Sequence, residues 1–320
     1  MRNERGGAMS TNSITLCFYR FSSEYDDSEF ANKIDAILEP YIQGEKAPAD
    51  KIDNGKVQMQ YLKKFDNGNI VCGIMRKFRD DSPIFGKIDE AKERFPNMDS
   101  DEYWVEKIHF LYDRRWQILL CQNNNTGVSH NVFSDYMSRI ADFPMILASV
   151  FTKRAYEIFL NESELELEKV EFKMARPTCV AMIKKAKNQF SEGVMSVLDA
   201  SGGKFVKMEL SGNMRKAGDD EKLLDKEFVP FVRILRDSLT DSQDRGKVKF
   251  RDSKSGLPQV VDLINDKFKA TLRPNEVQSV IENQGNKKYV NSDKLYDIMR
   301  QKMKDSELEL EEIFGPSNVS

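Results

Sequence analysis

The sequence predicts an α+β fold of two domains, with mostly antiparallel sheets built from hairpins and with flanking helices. Several segments alternate apolar and polar residues and are joined by short turns rich in Asn and Gly, which is typical of hairpins. Helical segments lie between them without the strict strand–helix rhythm of a doubly wound parallel sheet. A length of 320 residues fits about two domains.

The first elements are a strand and a helix. Residues 14–21, ITLCFYRF, are rich in strand-forming residues and end in a polar loop. A helix is predicted over 27–38, because Phe30, Ile34 and Leu38 recur at helical spacing, and Pro40 marks its end. Residues 1–12 are expected to be a polar tail, in which Met9 is a candidate start.

The clearest hairpin joins residues 56–65 to 69–78. Val57, Met59 and Tyr61 alternate on the first strand, and Ile70, Cys72 and Ile74 alternate on the second. The intervening Asp66-Asn67-Gly68-Asn69 supplies the positive φ angles that a tight turn requires. A second hairpin is predicted from WQILLCQ at 116–122, through NNNTG, to VSHNVF at 128–133, while 82–108 reads as irregular.

The remaining elements follow in chain order. We expect a helix over 134–142 capped by Ser134 and a helix over 178–190 capped by Thr178. A long helix is predicted over 220–239, with a kink or a break at Pro230, and a helix over 292–304 is followed by an acidic tail. The predicted strands are 155–160, 165–172, 194–198, 205–210, 247–250 and 260–272. The predicted domains are 13–127 (acidic, α+β), 128–172 (connecting segment), 173–275 (basic, α+β) and 276–320 (helical).

Composition excludes several classes of protein. Apolar residues make up 40% and aromatic residues 10%, too much for a disordered chain. No window approaches the 18 apolar residues of a membrane span, and the start MRNERGGAMS lacks the apolar run of a signal peptide. Four scattered cysteines form no CxxC motif, so we expect buried, reduced thiols and a cytoplasmic location. Nucleotide-binding glycine motifs are missing, so no cofactor is predicted.

The net charge of -3 hides an uneven distribution of charged residues. Residues 173–254 contain 18 Lys and Arg against 12 Asp and Glu, whereas residues 1–172 contain 22 against 29. In RGKVKFR at 245–251, cations recur at every second residue, which places them on one face of a strand. Such a row suits a phosphate backbone. The alternative is the solvated outer face of an amphipathic sheet.

The predicted DNA-binding residues are the clustered cations of this region. They are Lys184, Lys185, Lys187, Lys204, Lys207, Arg215, Lys216, Arg245, Lys247, Lys249 and Arg251. No zinc-finger spacing and no RNA-recognition aromatic signature accompanies them, so contact is expected to be independent of nucleic-acid sequence.

Two alternatives remain open from the residues. Glu171 and Lys173 lie on the same face of one strand, as in metal-dependent nucleases, where an upstream carboxylate such as Asp142 completes the metal site. The only histidines, His109 and His130, have no metal-ligand or triad partner at a recognisable spacing. A third possibility is a protein-interaction or sensor module that uses the acidic N-terminal half.

The order of elements resembles one known family. The strand ITLCFYRF, the hairpin VQMQYLKKFDNGNIVCGIMRKF, the segment VEFKMARPTCVAMIKKAKNQF and the segment VMSVLDASGGKFVKMEL follow one another as in the Rex-like phage exclusion proteins, RexA and its relatives. The similarity is one of layout and spans roughly residues 14–275. It fixes no residue-by-residue register.

The resemblance implies a non-enzymatic protein that binds duplex DNA without sequence preference in phage exclusion or antiviral defence. It implies a homodimer that embraces the duplex. A membrane protein encoded by a neighbouring gene is a possible partner, without insertion of this chain into the membrane. The net acidity of the chain is a departure from this picture.

Overall fold

The computed structural model describes residues 14–22, 25–52, 55–79, 85–87, 90–94, 103–123, 128–160, 165–176, 179–180, 182, 189–212, 224, 229–239, 245–252, 258–284 and 287–316. The chain divides into two compact units. Unit 1 comprises residues 1–147 and 269–320, and unit 2 comprises residues 148–268. The polar tail expected over 1–12 lies outside the described residues.

Strands and helices are numbered along the chain. The strands are β1 Thr15–Ser22, β2 Asp50–Ile52, β3 Gly55–Phe65, β4 Ile70–Arg79, β5 Phe85–Lys87, β6 Glu90–Arg94, β7 Trp104–Asp113, β8 Ile118–Gln122, β9 Ile146–Ser149, β10 Leu165–Ala175, β11 Phe205–Ser211, β12 Arg245–Asp252, β13 Pro258–Asp262, β14 Lys269–Thr271, β15 Ile281–Gln284 and β16 Lys287–Val290. The helices are α1 Asp27–Ile42, α2 His130–Ala141, α3 Lys153–Leu160, α4 Gln189–Ser201, α5 Val229–Ser238, α6 Pro274–Val280, α7 Ser292–Asp305 and α8 Glu307–Phe314.

Unit 1 is built on one large sheet. Its strands run in the order β14-β1-β8-β7-β4-β3-β2, and β9 also pairs with β1. One face packs on α1 and α2 through a core that contains Phe30, Ile34, Phe110 and Phe133. On the other face, His109 of β7 is hydrogen-bonded to Ser292 of α7. Each fully buried Phe contributes roughly 1.5–3 kcal/mol of hydrophobic stabilisation.

Unit 2 is built on an antiparallel sheet of four strands in the order β11-β10-β12-β13. Its inner face carries Val170, Phe172, Val248 and Phe250, which are buried in one core with residues of α3, α4 and α5. Gly246 lies on the same face, and a Cβ atom there would come within 2.2 Å of a Leu239 methyl carbon. The close approach of Leu239 therefore requires glycine at this position of β12.

The α+β class with antiparallel sheets is confirmed. The predicted strand at 14–21 is β1, and the predicted hairpin at 56–78 is β3–β4. Asn67 and Gly68 have the positive φ angles, +56° and +92°, that the Asn-Gly turn predicts. One detail differs, because a bulge between Gln60 and Lys63 turns Tyr61 outward and Leu62 inward.

The second predicted hairpin is wrong. Strand β8 pairs with β7, which comes before it in the chain, and with β1, while the segment after it forms helix α2. The helix is capped by Ser129, not by Ser134, because Ser129 accepts from the amide of Val132. Strand β7 also corrects the irregular segment expected over 82–108, although residues 95–102 lie outside the described chain.

Two predicted strands are helices. Residues 155–160 belong to α3 and residues 194–198 to α4. In each segment the buried residues lie three or four apart, Ala155 and Ile158 in α3, Val194 and Leu198 in α4, which is the spacing of one helical face. Short apolar runs contain too few residues to distinguish the 3.6-residue period of a helix from the two-residue period of a strand. Of the helix predicted over 178–190, most residues lie outside the described chain, as does the start of the helix predicted over 220–239.

Pro40 does not end its helix as predicted, and Pro230 lies at a helix start. Helix α1 continues through Pro40 to Ile42, since a proline this close to the end removes only one helical hydrogen bond. Pro230 is the second residue of α5, where its missing N–H has no helical acceptor in any case. It therefore lies at the start of α5, and residues 225–228 before this helix lie outside the described chain.

The boundaries of the two units differ from the predicted domains. The chain leaves unit 1 after Leu147 and returns at Lys269, because β14 pairs with β1 at the edge of the first sheet. The predicted boundaries at 128, 173 and 276 follow local composition, which carries no signal for the pairing of residues far apart in sequence, such as Thr15 with Thr271. Of the helices that the structure describes, none is long and apolar enough to cross a membrane.

Candidate nucleic-acid interface

The outer face of the unit 2 sheet carries the most concentrated charge among the described residues of that unit. Alternation along β10, β11 and β12 buries one set of side chains and exposes the other. On β12 the outward side chains are those of Arg245 and Lys247, which are exposed, and of Lys249 and Arg251, which are half-buried, and the spacing in the sequence predicts this shared face.

Three cations form a row across this face. Lys173 of β10 lies directly opposite Lys207 of β11 on one side and opposite Arg245 of β12 on the other. With strands about 4.8 Å apart, the three side chains start within about 10 Å of one another. Opposed like charges destabilise a sheet by roughly 0.2–1 kcal/mol a pair. We call Lys207, Lys173 and Arg245 the basic row.

An aromatic ring lies beside the basic row. Phe205, at the start of β11, is 46% exposed, and its ring centroid is 5.2 Å from Nζ of Lys173. A cation over a ring face gains about 0.5–1 kcal/mol at an exposed site. The contact holds the Lys173 ammonium at the surface of the sheet.

The next row of the sheet is mixed in charge. Glu209, Glu171 and Lys247 lie opposite one another on β11, β10 and β12. Lys169 bridges the two carboxylates, with Nζ 2.7 Å from Glu209 and 3.6 Å from Glu171. The hydrogen bond from Lys169 lowers the pKa of Glu209, and Lys247 lies 4.0 Å from Asp262. These ion pairs neutralise part of the charge of this row.

Two predicted DNA-binding cations share one buried carboxylate. Glu168 is 2% exposed and lies where a bulge interrupts β10. Its oxygens lie 2.6 Å from Nζ of Lys249 and 2.7 Å from the guanidinium of Arg251. Burial raises the pKa of Glu168, but the hydrogen bonds and charges of Lys249 and Arg251 outweigh that effect and lower it. Two cations against one carboxylate leave one net positive charge here.

The other predicted residues fall in three places. Lys204 is exposed in the turn before β11, where its carbonyl oxygen accepts from the amide of Arg176 at 2.9 Å. Lys207 and Arg245 belong to the basic row. Lys184, Lys185, Lys187, Arg215 and Lys216 lie outside the described residues.

The centre of the basic row was absent from the predicted set. Lys173 entered the sequence interpretation only as a nuclease residue beside Glu171. Alternation over Lys169, Glu171 and Lys173 shows that they share a face. Their cross-strand neighbours follow only from the sheet order, and a charge count along the chain does not supply that order.

The carboxylates of the nuclease alternative belong to different units or are already paired. Glu171 is held by Lys169 and faces Glu209. Asp142 belongs to unit 1, where it ends α2 in the left-handed conformation. Within the described ranges, no group of three His, Cys, Asp or Glu side chains is arranged to hold a metal ion.

A cavity of about 440 Å³ lies in unit 1 beside α7. Its arginines are paired with its acids, since Arg300 contacts Asp66 and Arg115 lies 2.8 Å from Glu307. The lining residues are Asp66, Asn69, Ile70, Arg115, Asp297, Arg300, Gln301, Lys304 and Glu307. The charges balance, in contrast to the basic row, so the cavity has no electrostatic preference for an anion.

Comparison with known proteins gives one match. A family model described as a family of unknown function, DUF6731, matches residues 29–310. No curated protein matches the chain.

Proposed function

Given that the chain belongs to DUF6731, a family of unknown function, we propose from its residues that it binds duplex DNA without sequence preference through the outer face of the unit 2 sheet. The observation that carries the proposal is the basic row, Lys207, Lys173 and Arg245, on three neighbouring strands. A folded protein gains nothing in stability from opposing two lysines across a ladder. An anion that bridges them removes the repulsion.

Phosphate groups fit this row better than a small anion does. The cations continue along the face through Lys247, Lys249 and Arg251, about 7 Å apart on one strand. A polyanion contacts several rows at once and releases counterions at each contact. The described strands of this face present amines and guanidinium groups, and no described helix lies on it to enter a DNA groove. The contacts therefore go to the DNA phosphate backbone and do not depend on the base sequence.

The proposed activity is binding without chemistry. Cations hold the phosphates, and Glu171, already paired with Lys169, has no role in cleavage.

A homodimer would double the number of phosphate contacts and steepen the salt dependence. The described cysteines, Cys17, Cys72, Cys121 and Cys179, are buried thiols, which fits the reducing cytoplasm proposed for the protein. The role in phage exclusion and the membrane-protein partner rest on the layout resemblance and stay predictions.

Fluorescence anisotropy with the full chain tests the proposal. Two labelled 20-base-pair duplexes of unrelated sequence should bind within about twofold of each other, with log affinity falling linearly against log salt. The double variant K173Q/K207Q should weaken both about tenfold at low salt. A matched control, K46Q/K304Q, removes the same charge from exposed residues of unit 1. Equal binding by all three proteins would refute the proposal.

A further inference from the structure

A second basic surface lies in unit 1, on the sheet face opposite to that of α1 and α2. Lys51, Lys56, Phe78 and Val105 lie opposite one another on β2, β3, β4 and β7. Two residues further along, Gln58, Arg76 and Lys107 form the next row on the same face. Neither row contains a carboxylate.

Two aromatic rings are interleaved with these cations. Tyr103, just before β7, is 36% exposed, and its ring meets that of Phe78 edge-on at 6.1 Å between centroids. Nζ of Lys56 lies 5.4 Å from the Tyr103 centroid, and the guanidinium of Arg76 lies 4.8 Å from the Phe78 centroid. We call Lys51, Lys56, Arg76, Phe78, Tyr103 and Lys107 the ring patch.

The ring patch is costly to the fold on its own. Lys51 and Lys56 lie directly opposite each other, as do Arg76 and Lys107. Both are like-charge pairs, which destabilise a sheet. The exposed ring of Tyr103 adds apolar surface to water in the same place. A ligand that is both anionic and aromatic would satisfy both features.

We propose that the ring patch binds single-stranded nucleic acid, with an unpaired base stacked on Tyr103 and the phosphates on Lys51, Lys56 and Lys107. Surfaces that combine a positive track with exposed rings bind single strands because every base has a π-face. In a duplex the bases are already stacked, so Tyr103 finds no partner there. The patch is a separate surface from the basic row and does not depend on it.

The charge count along the chain conceals this surface. Residues 1–172 carry an excess of acids, so the charge count draws attention to 173–254 instead. The cations of the ring patch come from four strands that are adjacent only in the folded sheet. Its carboxylate neighbours in sequence, such as Asp50 and Glu106, lie at the alternate positions of their strands and point to the opposite face.

Anisotropy with a labelled 20-nucleotide oligothymidine tests the inference in the full chain. Tyr103→Leu should weaken binding about 5- to 20-fold, while Tyr103→Phe, which keeps the ring, should bind as the wild type does. A matched control is Trp104→Leu, since Trp104 is 42% exposed on the other face of the same sheet. The double variant K56Q/K107Q should reduce the salt slope by about 1.4.

An abasic strand of the same length isolates the stacking contribution. Tyr103→Leu and wild type should bind this strand equally, because it offers phosphates but no rings. Unchanged binding of oligothymidine by Tyr103→Leu, or an equal loss on the abasic strand, would overturn the inference. The comparison of Tyr103 with Tyr103→Leu is repeated in the K173Q/K207Q background to separate the two surfaces. If the basic row does not bind DNA, Tyr103→Leu should still weaken oligothymidine binding.

Discussion

Lys173 and Lys207 lie directly opposite each other on β10 and β11, with Arg245 on the other side of Lys173. An opposite-charge pair at this position would stabilise the sheet. Two residues further along these strands, Glu171 and Glu209 lie opposite each other, and Lys169 makes opposite-charge pairs with both. The same two strands therefore contain both arrangements, and the proposal assigns the like-charge row to an external anion.

Reversing one charge should stabilise unit 2 and weaken DNA binding together. Lys207→Glu places a carboxylate opposite Lys173, which we expect to raise the free energy of unfolding by about 0.5 kcal/mol. Duplex affinity should fall more than in Lys207→Gln, because a negative charge now faces the phosphates. Thermal denaturation and anisotropy measure the two effects. A less stable Lys207→Glu variant would contradict the inference that Lys207, opposite Lys173, destabilises the sheet.

Glu168 should stabilise unit 2 and weaken the binding of duplex DNA. Glu168→Gln breaks the bonds to Lys249 and Arg251 and should cost about 2 kcal/mol of the free energy of unfolding. It also frees two cations, so duplex affinity should rise a few-fold. The control is Glu209→Gln, whose exposed pair should change stability by less than about 0.5 kcal/mol.

The contribution of Glu168 should depend on pH. Because its folded pKa is lowered, its stabilisation is complete above the unfolded pKa of about 4.5 and is lost as pH falls through the folded value. The difference in melting temperature between wild type and Glu168→Gln should therefore shrink below about pH 4. A constant difference from pH 7 to pH 3 would show that the charge of Glu168 does not stabilise unit 2.

His109 ties α7 to the sheet of unit 1. Its Nδ1 lies 3.0 Å from the amide oxygen of Gln122, and its Nε2 lies 2.9 Å from Oγ of Ser292. Gln122 Oε1 only accepts, so Nδ1 carries the proton and Nε2 accepts from Ser292. Burial lowers the pKa of His109 against the opposing effect of Gln122.

Wild-type stability should therefore fall between pH 7 and pH 5. A lowered histidine pKa means that the unfolded chain binds a proton first, so the contribution of neutral His109 is complete above the unfolded pKa of about 6.5 and is lost as pH decreases. His109→Gln should lose about 1 kcal/mol at pH 7 and show a flatter pH profile. A steeper profile in the variant would contradict this assignment.

Mg²⁺ should not convert binding into cleavage. Incubation of a labelled duplex with the protein and Mg²⁺ should leave the strand lengths unchanged on a denaturing gel. Cleavage that Glu171→Gln abolishes would contradict the non-enzymatic proposal and support the nuclease alternative.

Local signals predicted the fold class and several elements. The Asn67-Gly68 turn, the strand over 14–21 and the helix after Asn291 are each specified by residues within a few positions of one another. Pairings that join distant segments were beyond such signals, as β1 with β14 and β1 with β8 show. The helices α3 and α4 were misassigned because short apolar runs fit both periods.

The candidate sites also combine features that local sequence predicts with features that only the folded sheet shows. Alternation in RGKVKFR predicted the exposed cations of β12, because a strand places every second residue on one face. Lys173 completes the basic row only through the pairing of β10 with both neighbours. The pairing of Lys249 and Arg251 with Glu168 depends on a bulge that no turn residue announces.

The salt dependence of duplex binding by wild type and K173Q/K207Q tests the central claim most directly. If both lysines contact phosphates, the slope of log affinity against log salt should become shallower by about 1.8 in the variant, while K46Q/K304Q keeps the wild-type slope. Identical slopes in wild type and K173Q/K207Q, or no duplex binding by the wild type at low salt, would contradict a DNA-binding role for the basic row.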